Sequence, residues 1–300
     1  MKSQGNRDEK MTQVLTIIAG QNTELDEQTI KALPAADRSK VLEHGRAVEL
    51  FFENGAYISD AFPELRATLD AKRIDAVLQT PAGRQKKLLC ADMDSTLIRQ
   101  EGLDLIAAHL GLGAETAAVT ERAMRGEIDF ATSLTERVAL LQGLAADKLE
   151  ETFAALTDTP GAQTLVKTMR AHGARCVLIS GGFTVFADRI AERLGCHAAH
   201  SNRLDIQDGV LTGRVLPPIL DSARKREILE TERQTHKFAR KDVIAVGDGA
   251  NDIPMLQAAA TGIAFRAKPR VEDSVQHRIR HSDLTALLYL QGYTSEDILI

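Results

Sequence analysis

Aromatic residues are scarce in this sequence of 300 residues, which contains no tryptophan and is 4% aromatic. A protein that binds single-stranded nucleic acid needs exposed aromatic side chains on which bases stack, so that class is disfavoured. A positive surplus is absent too, since 37 lysines and arginines face 42 aspartates and glutamates, a net charge of −5. Phosphate backbones and anionic membranes attract basic surfaces. We therefore expect no nucleic-acid and no membrane partner.

Cysteine is equally rare. Cys90, Cys176 and Cys196 cannot all pair, and the first two lie in apolar runs typical of buried strands. This inventory favours a reduced, cytoplasmic setting over a disulfide framework. Cys196 stands near His197 and His200, which raises zinc as an alternative. No second ligand pair stands at the spacing of a zinc site, so the alternative is weak.

Long apolar runs are also missing, and none approaches the 18 residues of a membrane span. The stretch 14–20 is at the short limit for a signal peptide, follows a start of mixed charge and lacks a small-residue cleavage site. Export is therefore not expected. A hydrophobic content of 44% is ordinary for a globular protein, and the length suggests two domains.

Residues 1–83 are predicted to form a small N-terminal α+β domain. Its strand candidates are Val14–Ala19, Ala47–Phe52 and Ile74–Leu78, with a polar helical segment after the first and a helix over Phe62–Ala71. No chemistry is evident there, so a regulatory domain and a packing or dimerisation module both stay open. The polar stretch 80–87, which contains Pro and Gly, is typical of a linker.

Residues 84–300 are predicted to form an α/β domain with a parallel, Rossmann-like sheet. Short apolar runs separated by helical stretches favour strands buried on both faces. About 80 helical residues lie between the first two strands, far more than one crossover needs, which indicates an inserted helical cap at about 100–162. Asp208-Gly209 between alternating segments predicts a hairpin over Arg203–Val215. The strand candidates are Leu88–Met93, Arg175–Ile179, Val243–Val246 and Gly262–Phe265.

Polar residues follow three of these strands at their carboxyl ends, where parallel sheets bind ligands. Asp92 and Asp94 follow the first strand, Ser180-Gly181-Gly182 the second, and the run 247–252, which contains Asp248, the third. If the strands are neighbours, up to three carboxylates meet in one crevice. Their repulsion calls for a divalent cation, and oxygen ligands suit Mg²⁺.

Magnesium in turn favours a phosphate-bearing substrate. Gly181 and Gly182 allow backbone N–H groups to approach an anion, Ser180 adds a hydroxyl, and Lys225 is a candidate counter-charge. In a continuing strand, Asp92 and Asp94 face the same side. One carboxylate can then attack phosphorus while the other transfers protons.

Four segments in this order make the chain similar to the haloacid dehalogenase superfamily, and within it to the phosphoserine phosphatases. They are the DxDxT motif at Asp92–Thr96, Ser180–Phe183, Lys225 before an apolar helix, and Gly247–Asp252. The likeness runs from about residue 86 to about residue 290.

This resemblance implies a set of roles. Asp92 is the nucleophile, and Asp94 is the general acid and base. Mg²⁺ is bound by Asp92, the backbone carbonyl of Asp94, and Asp248, with Asp252 supporting the metal shell. The phosphoryl group is held by Ser180, Gly181, Lys225 and Asn251, next to Gly182.

The resemblance also implies how substrate is chosen in the cap. Glu101 binds the substrate ammonium and Arg137 its carboxylate, under an apolar lid of Met124 and Phe130. Arg137 stands on a helix face with Phe130 and Leu134. From spacing alone, Arg137 either snorkels outward or meets a buried anion, and Met124 and Phe130 either cover a ligand or fill the core.

The expected activity is hydrolysis of O-phospho-L-serine, the last step of serine biosynthesis. Two alternatives stay open. One is a phosphatase for another small phosphomonoester, such as phosphohomoserine, phosphoethanolamine or phosphocholine. The other is a silent sensor of phosphate or serine. A dinucleotide-binding protein is disfavoured, because no GxGxxG follows a strand. A small-molecule substrate is the expected partner, and a homodimer stays open.

Overall fold

A computed structural model describes residues 12–125 and 127–300, without the side chain of Met124. The chain divides into two compact units. The first contains residues up to Gln85 together with Arg278–Leu299, and the second contains Lys86–His277 and the terminal Ile300. The division at 85/86 lies close to the predicted 83/84. It differs in assigning Arg278–Leu299 to the first unit.

The first unit is built on a four-stranded antiparallel sheet of order β2-β3-β1-β4. Leu15, Ile17 and Leu50 alternate toward one face, where they pack with Ile58 and Leu69 of a helix. Its elements before the linker are β1 (Gln13–Ala19), α1 (Glu27–Lys31), β2 (Arg38–Glu43), β3 (Ala47–Phe52), α2 (Gly55–Ala71) and β4 (Ile74–Gln79).

The sequence missed one strand of this sheet. The prediction of a helical segment between the first two apolar runs is wrong over 38–43, where β2 forms. Its first four residues are exposed, whereas β4 at the other edge of the sheet is almost entirely buried. Without a buried face, the strand carries no apolar alternation that a sequence pattern can detect.

The segment after residue 277 is fixed to the first unit by a buried carboxylate. Asp75 on β4 accepts backbone N–H bonds from Arg280, His281 and Ser282, at 2.8, 3.1 and 2.7 Å. The Ser282 hydroxyl donates to the carbonyl of Ala19 at 2.8 Å. These bonds between side chains and backbone join a segment distant in sequence to the N-terminal sheet, a contact that local patterns do not encode.

The second unit contains the predicted parallel sheet, in which the strands follow the order β10-β9-β5-β6-β7-β8. Strands β10, β9, β5, β6 and β7 are mutually parallel, and β8 pairs antiparallel with β7 in the predicted hairpin. Asp208 and Gly209 at its turn both have positive φ, at 50° and 77°, as a type I′ turn requires. The strands of the described chain from residue 88 onward are β5 (Leu88–Ala91), β6 (Arg175–Phe183), β7 (Ala198–Gln207), β8 (Val210–Leu216), β9 (Val243–Gly247), β10 (Thr261–Phe265) and β11 (His277–Ile279).

Helices cover both faces of this sheet, which confirms the predicted α/β class. On one face, Cys90 and Val243 pack with Leu229 and Met255 from two helices. On the other, the Cys176 thiol points toward the Val166 carbonyl of a third helix. The helices of the whole described chain from residue 102 onward are α3 (Gly102–His109), α4 (Gly113–Met124), α5 (Phe130–Ala139), α6 (Lys148–Ala155), α7 (Ala162–Ala171), α8 (Thr184–Leu194), α9 (Ser222–Thr235), α10 (Ile253–Ala258), α11 (Pro269–Glu272) and α12 (Ala286–Tyr289).

The order of the strands brings together the polar residues at the ends of β5, β6 and β9. Because β5 pairs with β6 on one side and with β9 on the other, three carboxyl ends are adjacent. Helices α3 to α6 lie within the range predicted for the cap. Among the described helices, none combines the length and the apolar character needed to cross a membrane.

Candidate active site

The loop after β5 carries the first two aspartates. The Asp92 N–H donates to the Val246 carbonyl at 3.0 Å, and its side chain is buried. The strand ends at Ala91, rather than continuing to Asp94, and a tight turn follows over Met93–Leu97. Ser95 within it has φ +55°, a left-handed conformation. This turn, rather than strand alternation, brings Asp94 to the same cavity as Asp92.

Three carboxylates meet at the junction of β5 and β9. Ligand oxygens of Asp92, Asp248 and Asp252 lie within 4.8 Å of one another. In the described part of the chain, this is the one such group of His, Cys, Asp or Glu side chains that could hold a metal. The Thr96 hydroxyl donates to Asp248 at 3.2 Å. Cys196, His197 and His200 form no comparable group, and His197 instead accepts the Cys176 N–H at 3.0 Å.

A buried lysine lies against two of these carboxylates. Lys225 is fully buried, and its Nζ is 2.6 Å from both Asp92 Oδ1 and Asp252 Oδ1. Asp221 caps α9 by accepting the Arg224 N–H at 2.9 Å, which fixes the helix turn that carries Lys225. Burial alone would lower the pKa of Lys225, but the two carboxylates outweigh it and raise that pKa. The lysine is therefore a permanent cation.

One ammonium does not neutralise three carboxylates. Burial, and then the charge of Asp252, raise the pKa of Asp92 well above its ordinary value, against the opposing effect of Lys225. Burial, then Asp252 and Glu101, raise the pKa of Asp248 to about 7. Both oxygens of Asp252 are engaged, by Lys225 and by the Gly249 N–H at 3.0 Å. The oxygen-only donor set and its excess negative charge fit a divalent cation such as Mg²⁺.

Asp94 has a different environment from that of Asp92. Its Oδ1 accepts the Gly102 N–H at 2.8 Å, and its Oδ2 accepts the Ser180 hydroxyl at 3.1 Å. Burial, and secondly the charge of Glu101, raise the pKa of Asp94 to about 7. A carboxyl group with a pKa near neutrality can both donate and accept a proton.

The second predicted segment, Ser180-Gly181-Gly182, forms a tight bulge near the end of β6, the Ser180 loop. Ser180 Oγ accepts the Gly182 N–H at 2.8 Å, which folds the loop back on itself. A Cβ atom on Gly182 would lie 2.7 Å from Asp94 Oδ2, and one on Gly181 would lie 3.0 Å from Phe130 Cζ. A side chain at Gly182 would therefore displace Asp94, and one at Gly181 would require the Phe130 ring to move by a few tenths of an ångström.

A cavity of about 100 Å³ joins these elements to the cap. Ser180, Lys225 and Asp252 are buried around it, and the Met124 side chain lies outside the described part of the structure. The residues predicted for the site that line the cavity are Asp92, Asp94, Glu101, Phe130, Arg137, Gly181, Gly182, Asp248 and Asn251.

Arg137 enters this cavity incompletely paired. Its side chain is 17% exposed, with Nη1 at 3.4 Å from Asp104 Oδ1 and 3.5 Å from Thr120 Oγ1. Within residues 12–125 and 127–300, Arg137 Nε is one of two buried side-chain polar atoms without a hydrogen-bond partner. A buried N–H without a partner is costly, so the site fits an anion at this point.

The side chain of Glu101 is held by Ser95 of the tight turn. The Ser95 hydroxyl donates to Glu101 Oε1 at 2.6 Å. Sequence reasoning gave no role to Ser95, Asp104 or Thr120. Thr96 had a signal as part of the DxDxT motif, whereas the other three had none, because their contacts arise from a turn and from helix packing.

A sequence model of haloacid dehalogenase-like hydrolases matches residues 89–257. The "Phosphoserine phosphatase" of Streptomyces coelicolor is 37% identical over 279 residues, covering 88% of this chain and 68% of the relative. The "Phosphoserine phosphatase SerB2" of Mycobacterium tuberculosis is 43% identical over 217 residues, covering 72% of this chain. The match spans only about half, 53%, of that relative's length.

Several solved structures are similar to this chain, and two of them show the extent of the likeness. A HAD family hydrolase from Salmonella enterica serovar Typhi has a TM-score of 0.85 and 30% identity, and covers 93% of this chain and 98% of its own. The structure titled "Phospho-Aspartyl Intermediate Analogue of Phosphoserine phosphatase" has a TM-score of 0.65 and 39% identity, and covers 68% of this chain and 98% of its own.

Proposed function

This chain belongs to the haloacid dehalogenase-like hydrolase family, and from that membership we propose that it is a phosphoserine phosphatase. The reaction is hydrolysis of O-phospho-L-serine to L-serine and phosphate, the last step of serine biosynthesis. The observation that carries the proposal is one cavity lined by two kinds of residue. Asp92, Asp94 and Asp248, which suit phosphoryl transfer, and Arg137 and Glu101, which suit recognition of an amino acid, all line it.

The reaction proceeds in two steps on this chain's own side chains. A carboxylate oxygen of Asp92 attacks phosphorus, the bond from phosphorus to the serine oxygen breaks, and Asp94 gives its proton to that oxygen. Water then attacks the aspartyl phosphate, and Asp94 takes a proton from it. The bond between phosphorus and Asp92 breaks, and phosphate leaves. A pKa of about 7 suits Asp94 to both transfers.

We propose Mg²⁺ as the cation of this site, with Asp92 and Asp248 as its side-chain ligands. The Asp94 backbone carbonyl would complete the protein's ligands, and Asp252 orients the neighbouring groups through Lys225 and Gly249. When bound, Mg²⁺ neutralises charge that develops on the phosphoryl oxygens.

The phosphoryl group would lie between the Ser180 loop and Lys225. Ser180, the N–H of Gly181, the Lys225 ammonium and Asn251 are its proposed partners. Lys225 offsets the charge of Asp92 and so holds an anionic substrate beside an anionic nucleophile.

Selectivity for an amino acid ester would come from the cap. The unpartnered Nε of Arg137 provides a donor for the substrate carboxylate, and Glu101 a counter-charge for its ammonium. Phosphoethanolamine and phosphocholine lack that carboxylate, and phosphohomoserine is one methylene longer. A silent sensor would need none of the proton-transfer geometry around Asp94.

A cytoplasmic location stays a prediction. So does the assignment of Met124 and Phe130 as an apolar lid, although Phe130 lines the cavity. For residues 1–83, a regulatory domain and a packing or dimerisation module both stay open, as does a homodimer.

The experiment is phosphate release from phosphoserine, phosphothreonine and phosphoethanolamine, with and without Mg²⁺. We expect Mg²⁺-dependent turnover with the highest kcat/KM for phosphoserine. Equal kcat/KM for phosphoethanolamine would contradict carboxylate recognition, and turnover unaffected by chelators would contradict the metal.

A further inference from the structure

The Ser180 loop lies where the pairing between β6 and its neighbour β7 changes register. Strands β6 and β7 pair in register up to Ile179 and His200, and pair again at Phe183 and Asn202. Over this interval β6 advances four residues while β7 advances two. The extra residues of β6 bulge out of the ladder and lose their backbone partners on β7.

A buried side chain replaces one of the lost partners. Asn202, at 1% exposure, donates from Nδ2 to the Gly181 carbonyl at 2.9 Å. The N–H on the other end of that peptide, from Gly182, donates to Ser180 Oγ. The 181–182 peptide is therefore fixed at both ends, and Asn202 sets the direction in which it faces.

The same amide reaches the segment that leads into α9. Asn202 Oδ1 accepts the Leu220 N–H at 2.6 Å, and Nδ2 lies 3.3 Å from the Leu220 carbonyl. Leu220 directly precedes Asp221, the cap of α9. The Lys225 N–H donates to the Asp221 carbonyl at 3.0 Å, in the first turn of that helix. Through Leu220 and Asp221, Asn202 is thus connected to the first turn of α9, which carries Lys225.

We infer that Asn202 is a positioning residue that holds the Ser180 loop and the start of α9, which carries Lys225, at a fixed separation. This inference rests on the proposed function, in which those two elements grip opposite sides of one phosphoryl group. Asn202 itself is not among the residues that line the cavity. Its effect is on the distance between those two elements, and small displacements of such elements have large effects on rate.

The test compares Asn202→Asp and Asn202→Ala with the wild-type chain. Asn202→Asp keeps the shape and the acceptor for Leu220 but removes the donor to Gly181. Asn202→Ala removes all three hydrogen bonds of the amide without adding a charge. We expect kcat for phosphoserine to fall about 10- to 100-fold in both, with the larger loss in Asn202→Ala. The dissociation constant of inorganic phosphate, measured by calorimetry with Mg²⁺ present, should rise about tenfold in both.

A matched control is Leu204→Ala, which shortens a buried side chain two residues along the same strand. We expect it to lower the melting temperature while kcat and phosphate affinity stay within twofold of wild type. If folded Asn202 variants keep both values within twofold, or if Leu204→Ala loses them equally, the inference is overturned.

Calorimetry separates this inference from the proposed function. A wild-type chain that binds phosphate but hydrolyses neither phosphoserine nor p-nitrophenyl phosphate would refute the function, and the Asn202 variants would then be judged on phosphate affinity alone. A wild-type chain that binds no phosphate would refute the positioning role as well.

Discussion

At the scale of single residues, Asp92 and Asp94 show how two identical side chains that line one cavity can have different environments. Asp92 lies against Lys225, whereas Asp94 accepts bonds from Gly102 and Ser180. The sequence predicted both residues and their shared cavity. It could not predict how they reach it, because the Ser95 turn depends on one left-handed residue that no periodicity marks.

Replacing Asp94 should affect substrates according to their leaving group. We expect Asp94→Asn to lower kcat for phosphoserine about 10²- to 10⁴-fold, because the serine oxygen leaves poorly without a proton. p-Nitrophenol leaves without one, so p-nitrophenyl phosphate should still give a rapid burst of one nitrophenol per site. Stopped-flow absorbance measures the burst. A burst lost to the same degree as phosphoserine turnover would argue against Asp94 as the acid.

Arg137 allows a test of substrate choice. Arg137→Ala should raise KM for phosphoserine strongly and leave KM for phosphoethanolamine, which has no carboxylate, nearly unchanged. Arg137→Lys, which keeps the charge but loses the forked donors, should recover only part of the affinity. The comparison of KM values for the two substrates decides. A parallel rise for both would mean that Arg137 only supports the cap.

At the scale of elements, sequence patterns predicted what is buried and missed what is exposed or distant. The buried strands β5, β6 and β9 carry near-continuous apolar runs, so their existence could be predicted, whereas their adjacency in the sheet could not. The exposed edge strand β2 could not. Nor could the return of the C-terminal segment to the first unit, since its bonds to Asp75 are made by backbone groups that every sequence has.

The C-terminal segment also depends on Asp70 of α2. His281 Nε2 lies 2.7 Å from Asp70 Oδ1, and Arg280 and Arg278 pair with its Oδ2. Burial acts to raise the pKa of Asp70, but these partners outweigh it and lower that pKa below 3.8. A lowered folded-state pKa stabilises the fold above the unfolded value, and the gain is lost as pH falls through the folded value.

Asp70→Asn should therefore cost about 1–3 kcal/mol of unfolding free energy at pH 7 and less at pH 3. Urea titrations at the two pH values measure the difference. Asp60→Asn, at an exposed position on the same helix, serves as the control and should change little. A penalty for Asp70→Asn that is as large at pH 3 as at pH 7 would show that its charge is not what matters.

At the scale of the whole molecule, repulsion between the carboxylates of Asp92, Asp248 and Asp252 lowers the stability of the metal-free fold. Three carboxylates with ligand oxygens within 4.8 Å share one buried ammonium, which leaves an excess of negative charge. Such a group destabilises the fold until a cation binds to it, and a ligand that binds only the folded state stabilises it by mass action. Function and stability are therefore opposed at Asp248.

Removing that charge should stabilise the metal-free protein. We expect Asp248→Asn to raise the melting temperature in the presence of a chelator and to abolish the rise that Mg²⁺ causes in the wild type. At 100 times its dissociation constant, Mg²⁺ should add about 2.7 kcal/mol to the wild-type fold. Differential scanning calorimetry measures both effects, with Asp273→Asn as an exposed control. A metal-free Asp248→Asn that melts below wild type would contradict the repulsion.

The central claim is that a phosphoryl group passes to the carboxylate of Asp92. Its most direct test is to mix the protein with phosphoserine and Mg²⁺, quench with acid, reduce with borohydride and map the product by mass spectrometry. A phosphorylated aspartate is reduced to homoserine, so the account predicts homoserine at position 92 in the wild type and none in Asp92→Asn. Homoserine at another aspartate, or none at all during active turnover, would contradict it.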